Sequence, residues 1–281
     1  MNAAYLAYLF HRPITLIQNS TCGLIADLLE CAFGKGWRHT TDSVTNAFPA
    51  SYDALKSERR RVVLIAHSQG TIITAIVLHL LYSITRPPEA RREVLRVAPY
   101  AGPEFVFPDD APLALEDFEP LTVEELAKLE VYCFANCATM MTYYLPSADG
   151  QPPLPWIESF GNEYDIVARL GMQAPQPQRW GVAIDGPRYV RPGAWGHLLN
   201  EHYLSPIEHG QKVGRRRGGR GGATPFSHVL GAGATATPRL YAYLNGGIPP
   251  ASARLRAGHQ QTRKWYDETS TMERAPANGA P

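Results

Sequence analysis

Cysteine is scarce in this chain, with four residues in 281: Cys22, Cys31, Cys133 and Cys137. None forms a Cys-x-x-Cys pair, and histidine does not recur around them at ligand spacing. A zinc site and a disulfide scaffold are therefore not expected, and reduced thiols fit an intracellular protein. An excess of one charge is also missing. Lys+Arg 27 against Asp+Glu 26 leaves a net charge of +1, so no global electrostatic case exists for nucleic acid or an anionic membrane. No apolar run approaches the ~18 residues of a membrane span. The apolar patch Ala3–Phe10 has no basic leader and is too short for a secretory core segment. The expectation is a cytoplasmic protein without signal peptide or transmembrane segment.

Glycine and proline are plentiful, at 24 each, which points to many loops. Hydrophobic residues at 44% against 19% charged exclude a wholly disordered chain. A chain of this length buries roughly three quarters of its unfolded surface, so it needs no metal or disulfide staple.

Periodicity predicts the elements. Pro13–Ile17 reads as a short buried strand ending in the turn residues Gln18 to Thr21. Leu24, Ile25, Leu28, Leu29, Ala32 and Phe33 share one helical face, with Gly34 as its C-terminal cap. Residues 34–50 read as irregular, and a helix is expected from about Tyr52 to Arg60. Arg61–Ala66 is the clearest strand. Its lack of alternation predicts a central parallel strand covered on both faces. Thr71–Tyr82 is apolar nearly all round, as in a buried helix, and Pro87-Pro88 ends it.

Further strands are expected at Val94–Ala98, Val131–Ala135 and Trp156–Phe160. Residues 102–120 read as a loop, and Thr122 with Glu125 as a capping box. Strands alternating with helices predict an α/β fold with a mainly parallel sheet flanked by helices. Three regions are expected: a catalytic unit at 1–205, a Gly/Arg-rich loop and extension at 206–258, and a disordered tail at 259–281. Within the second, 214–222 reads as a mobile loop, and Leu240, Tyr241, Tyr243 and Leu244 as one more packed element.

The informative segment is Val62 to Ile73, in which a buried strand runs through Ala66-His67-Ser68-Gln69-Gly70 into an apolar helix. This resembles the nucleophile elbow of the α/β-hydrolase superfamily, whose pattern is Gly-x-Ser-x-Gly; Ala66 stands in the first glycine's place. A serine on a strained strand-to-helix turn has its hydroxyl pushed clear of the sheet, and close contacts are expected to keep Ala66 and Gly70 small. His67, next to the serine, reads as structural. The resemblance implies a lipase-like serine esterase with reduced N-terminal strands and no cofactor or metal.

The superfamily's chain order is serine, acid, base. Asp165 with Val167, after the strand at 156–160, resembles the Asp-x-Val that follows a late superfamily strand. Glu163 competes, Asp185 is a third choice, and a plain helix-capping role for Asp165 stays open. His197, within Trp195-Gly196-His197-Leu198-Leu199, is the expected base, 32 residues beyond Asp165 and so separated by room for a helix and a strand. His202 and His209 are its rivals. The oxyanion donors implied are the backbone N–H of Gln69 and, from the loop after Pro13–Ile17, that of Ser20.

The function expected is cleavage of a small-molecule or lipid ester or thioester through an acyl-enzyme. The alternatives are acyl transfer on the same fold and a non-catalytic hydrolase-like binding module. Stretches 102–120 and 140–155 are lid candidates. No nucleic-acid partner is expected, since the two Arg-Gly-Gly triplets at 217–222 lack interleaved aromatics.

Overall fold

The computed structural model describes residues 2–17, 37–91, 115–145, 153–216, 225–231 and 235–249. Helix α1 (Asn2–Phe10) opens the chain and α2 (Trp37–Lys56) follows. Strand β1 (Val62–His67) leads through a tight turn into α3 (Gly70–Ile84). The short α4 (Val123–Leu126) precedes β2 (Leu129–Phe134), β3 (Met140–Met141) and β4 (Trp156–Asn162). Then come α5 (Ile166–Leu170), β5 (Ala183–Ile184) and β6 (Arg188–Arg191). A π-helical turn (Leu199–Leu204) runs into α6 (Ser205–Arg216), followed by β7 (His228–Val229) and a 3-10 segment (Arg239–Gly246).

The architecture is mixed α/β. Its main sheet has the order β1-β2-β4-β6-β7; the first four strands are parallel and β7 is antiparallel. Strands β3 and β5 form a separate parallel pair. Every residue of β2 and β4 is buried. These are therefore the central strands, although each carries a glutamate, Glu130 and Glu158. Strand β1, expected at the centre, is the outer strand of the described sheet, and its Val63 is exposed. Aliphatic richness alone does not separate the two cases, because the helices laid over an outer strand need apolar partners as much as a second strand does.

Several expectations are corrected. Helix α2 begins far earlier than Tyr52 and ends at Lys56. Val44, Ala47, Phe48, Ser51, Tyr52 and Leu55 recur at helical spacing and are all buried, so they form a core-facing stripe. The polar run Thr40 to Ser43 and the internal Pro49 hide that stripe in the sequence. Pro13–Ile17 pairs with no strand among the described residues. Leu16 is exposed, while Ile14 and Ile17 only lean on the core. Arg12 instead donates to the carbonyls of Gly246 and Gly247, tying this stretch to the end of the described chain.

The Thr122–Glu125 capping box forms as expected, with Glu125 N–H on Thr122 Oγ1 and Thr122 N–H on Glu125 Oε2. The sheet and core run on past residue 205. Ile207, Phe226, Val229 and Leu240 belong to the same core, and so do Tyr241, Tyr243 and Leu244, the expected packed element. Backbone 214–216 closes α6 and is not loop. The helix at 24–33, the strand at 94–98, segment 217–222 and the tail 259–281 lie outside the described residues.

At the N-terminal ends of the central strands, a polar clasp holds the 3-10 segment. Glu130 accepts from Arg239 Nε at 3.1 Å and Nη2 at 2.9 Å. It also accepts from the hydroxyls of Tyr132 at 2.6 Å and Tyr243 at 2.8 Å. Burial works against the Glu130 charge, but these donors outweigh it and hold the carboxyl below its ordinary value. Glu158 takes the first backbone N–H groups of the segment, Arg239 at 2.8 Å and Leu240 at 3.2 Å. Free N–H groups at a helix start favour such an acceptor.

Candidate active site

The turn after β1 puts Ser68 in the left-handed region, with φ at 56°. A non-glycine residue there carries strain of about 1–3 kcal/mol and persists only if its surroundings hold it. Ser68 N–H donates to the Phe134 carbonyl at 3.0 Å. The Ser68 carbonyl receives Thr71 N–H at 2.8 Å and Thr71 Oγ1–H at 2.7 Å. Cys137 Sγ approaches the same carbonyl at 3.4 Å. The turn is thus locked to the C-terminal end of β2 and to the start of α3. Crowding accounts for Ala66, which is buried, but not for Gly70, where an added Cβ would meet nothing within 4 Å.

Asp165 stands three residues beyond β4, at the N-cap of α5. Its Oδ1 accepts Val167 N–H at 2.9 Å. The capping role and a role toward histidine are therefore not alternatives, for the same carboxylate serves both. His197 Nδ1 lies 2.9 Å from Asp165 Oδ2 and 3.2 Å from Oδ1. His197 Nε2 lies 2.9 Å from Ser68 Oγ. An ionised carboxylate only accepts, so Nδ1 carries the proton in the neutral ring and Nε2 presents its lone pair to the serine hydroxyl. Burial opposes the Asp165 charge, yet hydrogen bonds from His197 and Tyr203 overcome it and keep the carboxyl below its usual value. Three groups from separate parts of the chain thus form one chain of hydrogen bonds able to draw a proton from Ser68.

The loop carrying His197 is held from behind. Gly196 has φ at 96°, and a Cβ there would collide with the His202 imidazole, so glycine is required. Asn162 Nδ2 donates to the Gly196 carbonyl at 2.9 Å. His202 Nδ1 accepts Leu198 N–H at 2.9 Å. His202 therefore shapes the loop instead of facing the serine, and His209 bonds to Ser205 on its own helix. Glu163 turns away, its Oε2 receiving Gly193 N–H at 2.6 Å. Asp185 receives Tyr143 N–H at 2.7 Å, and burial raises its pKa to about 6.

Two further side chains adjoin the site. His67 has the structural place expected of it: its Nε2 lies 2.7 Å from the His197 carbonyl, and its ring centroid is 4.7 Å from that of His197. A carbonyl only accepts, so Nε2 carries the proton. Burial, with the nearby His197, lowers the His67 pKa to about 4 and keeps the ring neutral. Tyr203 donates its hydroxyl to Asp165 Oδ2 at 2.6 Å. Adjacency to Ser68 is a usable sequence signal for His67, whereas no local signal marks Tyr203.

Gln69, the expected oxyanion donor, sits at the N-terminal end of α3, where the helix dipole is positive. Ser20 lies outside the described residues, and the strand that was to position its loop is not formed. Among the described residues, no cluster of three or more His, Cys, Asp or Glu side chains could hold a metal ion, and no helix is long and apolar enough to cross a membrane. A cavity of about 610 Å³ lies beside α5, lined by Ile166, Arg169, Leu170, Trp180, Val190 and Leu230 among others. Ser68 does not line it. No family model matches the chain, and neither a curated protein nor a solved structure matches it.

Proposed function

We propose that this chain is a cofactor-free serine hydrolase of α/β-hydrolase type, with reduced N-terminal strands. It cleaves carboxylic esters or thioesters through an acyl-enzyme. Ser68 attacks the acyl carbon while His197 Nε2 takes its proton. The acyl–oxygen or acyl–sulfur bond then breaks, and the imidazolium returns the proton to the leaving group. Water, deprotonated by the same nitrogen, releases the acid and restores Ser68. Asp165 holds His197 in the Nδ1–H tautomer, and the Gln69 N–H is the first oxyanion donor.

The observation that carries this reading is the unbroken contact chain from Ser68 Oγ through His197 to Asp165, at 2.9 Å on each side of the imidazole. The left-handed Ser68 between strand and helix supports it, since it matches the strained turn such a nucleophile occupies. The exposed apolar side chains beside the acid and base, Tyr164, Ile166, Trp195 and Leu198, favour an ester with apolar groups. The near-balance of Lys+Arg 27 against Asp+Glu 26 gives no electrostatic support for nucleic acid as the partner.

A fluorophosphonate probe tests the reading. It is expected to label the chain at Ser68 alone. Ser68→Ala is expected to abolish labelling and cut ester turnover by a factor on the order of 10⁵–10⁶ with the fold retained. Labelling at another serine, or undiminished turnover in the alanine variant, overturns it.

A further inference from the structure

Behind Asp165 lies a phenol that the mechanism above leaves unused. Tyr203 sits in the π-helical turn and is fully buried. Such widened turns are rare and gather at functional sites. Its hydroxyl meets Asp165 Oδ2 at 2.6 Å, the same oxygen that faces His197 Nδ1 at 2.9 Å. The direction of that bond is fixed. Asn162 N–H donates to the phenol oxygen at 3.2 Å, so the phenol's own proton goes to the carboxylate. Burial, then the Asp165 charge, push the Tyr203 pKa far up, so the donor stays protonated.

The ring is gripped on several sides. Phe226 stacks parallel to it at 5.8 Å, Phe134 meets it edge-on at 5.7 Å, and His67 at 6.0 Å.

We infer that Tyr203 is a positioning residue that sets the basicity of His197, sharing the charge of Asp165 Oδ2 with the imidazole. The inference rests on reading Ser68, His197 and Asp165 as the catalytic chain. A carboxylate stabilises the imidazolium in proportion to the charge it presents to Nδ1. A strong donor on the same oxygen draws part of that charge away, keeping the imidazolium from becoming too stable to return its proton. It also fixes the plane of the carboxylate, with Val167 N–H fixing the other oxygen.

The other ionisable groups facing this pair do not substitute for it. His67 on β1 is neutral and donates to the His197 carbonyl. His202 accepts from Leu198 N–H, and Arg191 on β6 donates to the His202 carbonyl at 3.2 Å.

The test compares wild type, Tyr203→Phe and a chain carrying 3-fluorotyrosine at position 203. The readouts are pH profiles of fluorophosphonate labelling, and of kcat and KM for a short-chain nitrophenyl ester. Tyr203→Phe returns charge to Nδ1, so the acidic limb is expected to move to higher pH by ~0.5–1 unit. Plateau kcat is expected to fall on the order of 10-fold with KM little changed, because loss of orientation affects the transition state more than binding. Fluorotyrosine keeps the ring and is a stronger donor, so its limb is expected to move to lower pH.

Coincident limbs in labelled protein, or shifts of the same sign in both variants, overturn the inference and leave the hydrolase reading standing. Should Tyr203→Phe fail to fold, the fluorotyrosine chain decides alone, and an unshifted limb there overturns the inference. A wild-type chain that never labels at Ser68 removes the hydrolase reading and the inference with it.

Discussion

Two buried carboxylates, Glu130 and Asp165, sit at opposite ends of the same parallel sheet and face different partners. Each is met by tyrosine hydroxyls: Glu130 by Tyr132 and Tyr243, Asp165 by Tyr203. Each is held below its ordinary pKa against the pull of burial. The difference lies in the cation. Glu130 faces the guanidinium of Arg239, which does not give up its proton, and the pair binds through two parallel contacts. Asp165 faces an imidazole, which can gain and lose one, and whose far nitrogen reaches a hydroxyl on a strained turn. A saturated carboxylate fastens one part of the chain to another. The same group with a titrating partner can move a proton.

The sharpest way to break this comparison is to neutralise each carboxylate in turn. Asp165→Asn is expected to lower turnover by a factor on the order of 10⁴, because an amide no longer selects the Nδ1–H tautomer. The cap to Val167 N–H can persist, so unfolding by urea is expected to change little. Steady-state kinetics beside urea titration reads both effects. A variant that unfolds while its folded fraction stays fully active would place Asp165 with Glu130 among the structural groups.

Glu130→Gln is expected to do the reverse. It leaves Arg239 buried without a counter-charge, which costs about 3–5 kcal/mol of stability. Turnover per folded molecule is expected to stay at the wild-type level, since the clasp lies at the strand ends away from Ser68. Replacing both partners, as in Glu130→Leu with Arg239→Leu, is expected to recover much of the loss. Urea midpoints of the single and double variants, with activity measured well below the transition, check this. A fall in kcat for Glu130→Gln in fully folded protein would show that the two ends are coupled.

The smallest effect expected is the pH dependence that His67 adds at the Ser68 end of the strands. The folded pKa of His67 is lowered to about 4 from 6.5. Between those values the unfolded chain takes up a proton that folded His67 refuses. The stability that His67 contributes is therefore present in full above about pH 6.5, falls as the pH drops toward about 4, and gains no further slope below that. Asp165, whose folded pKa is lowered, adds its own loss only at lower pH, as its carboxylate is protonated. His67→Gln is expected to flatten the slope of unfolding free energy between pH 6.5 and 4. An unchanged slope would mean that His67 is already charged in the folded chain.

The sequence by itself marked what depends on neighbours in the chain. The strand-turn-helix around Ser68 is local: an aliphatic run, a small-residue turn and an apolar helix follow in order, and each reports its own backbone state. The Thr122–Glu125 box and Asp165 at the start of α5 are local in the same way. Gly196 beside His197 was legible as a place where the backbone comes close, which the absence of a Cβ permits.

What only the tertiary structure decided involves residues far apart. Pro13–Ile17 has a strand's composition but finds no partner strand among the described residues, and pairing is what makes a strand. Glu130 and Glu158 are ionisable, yet they lie in the fully buried central strands. Apart from Tyr132, which is two residues from Glu130, their compensating donors come from residues about 80 to 110 positions later, and no local pattern announces those. The choice of His197 over His202, and of Asp165 over Glu163, was left open by spacing. Rotation of side chains within a packed loop settled which one points at its partner. Tyr203 carried no signal at all, because its contact with Asp165 depends on the widened turn and on the aromatic rings that grip it, and both exist only once the sheet has assembled.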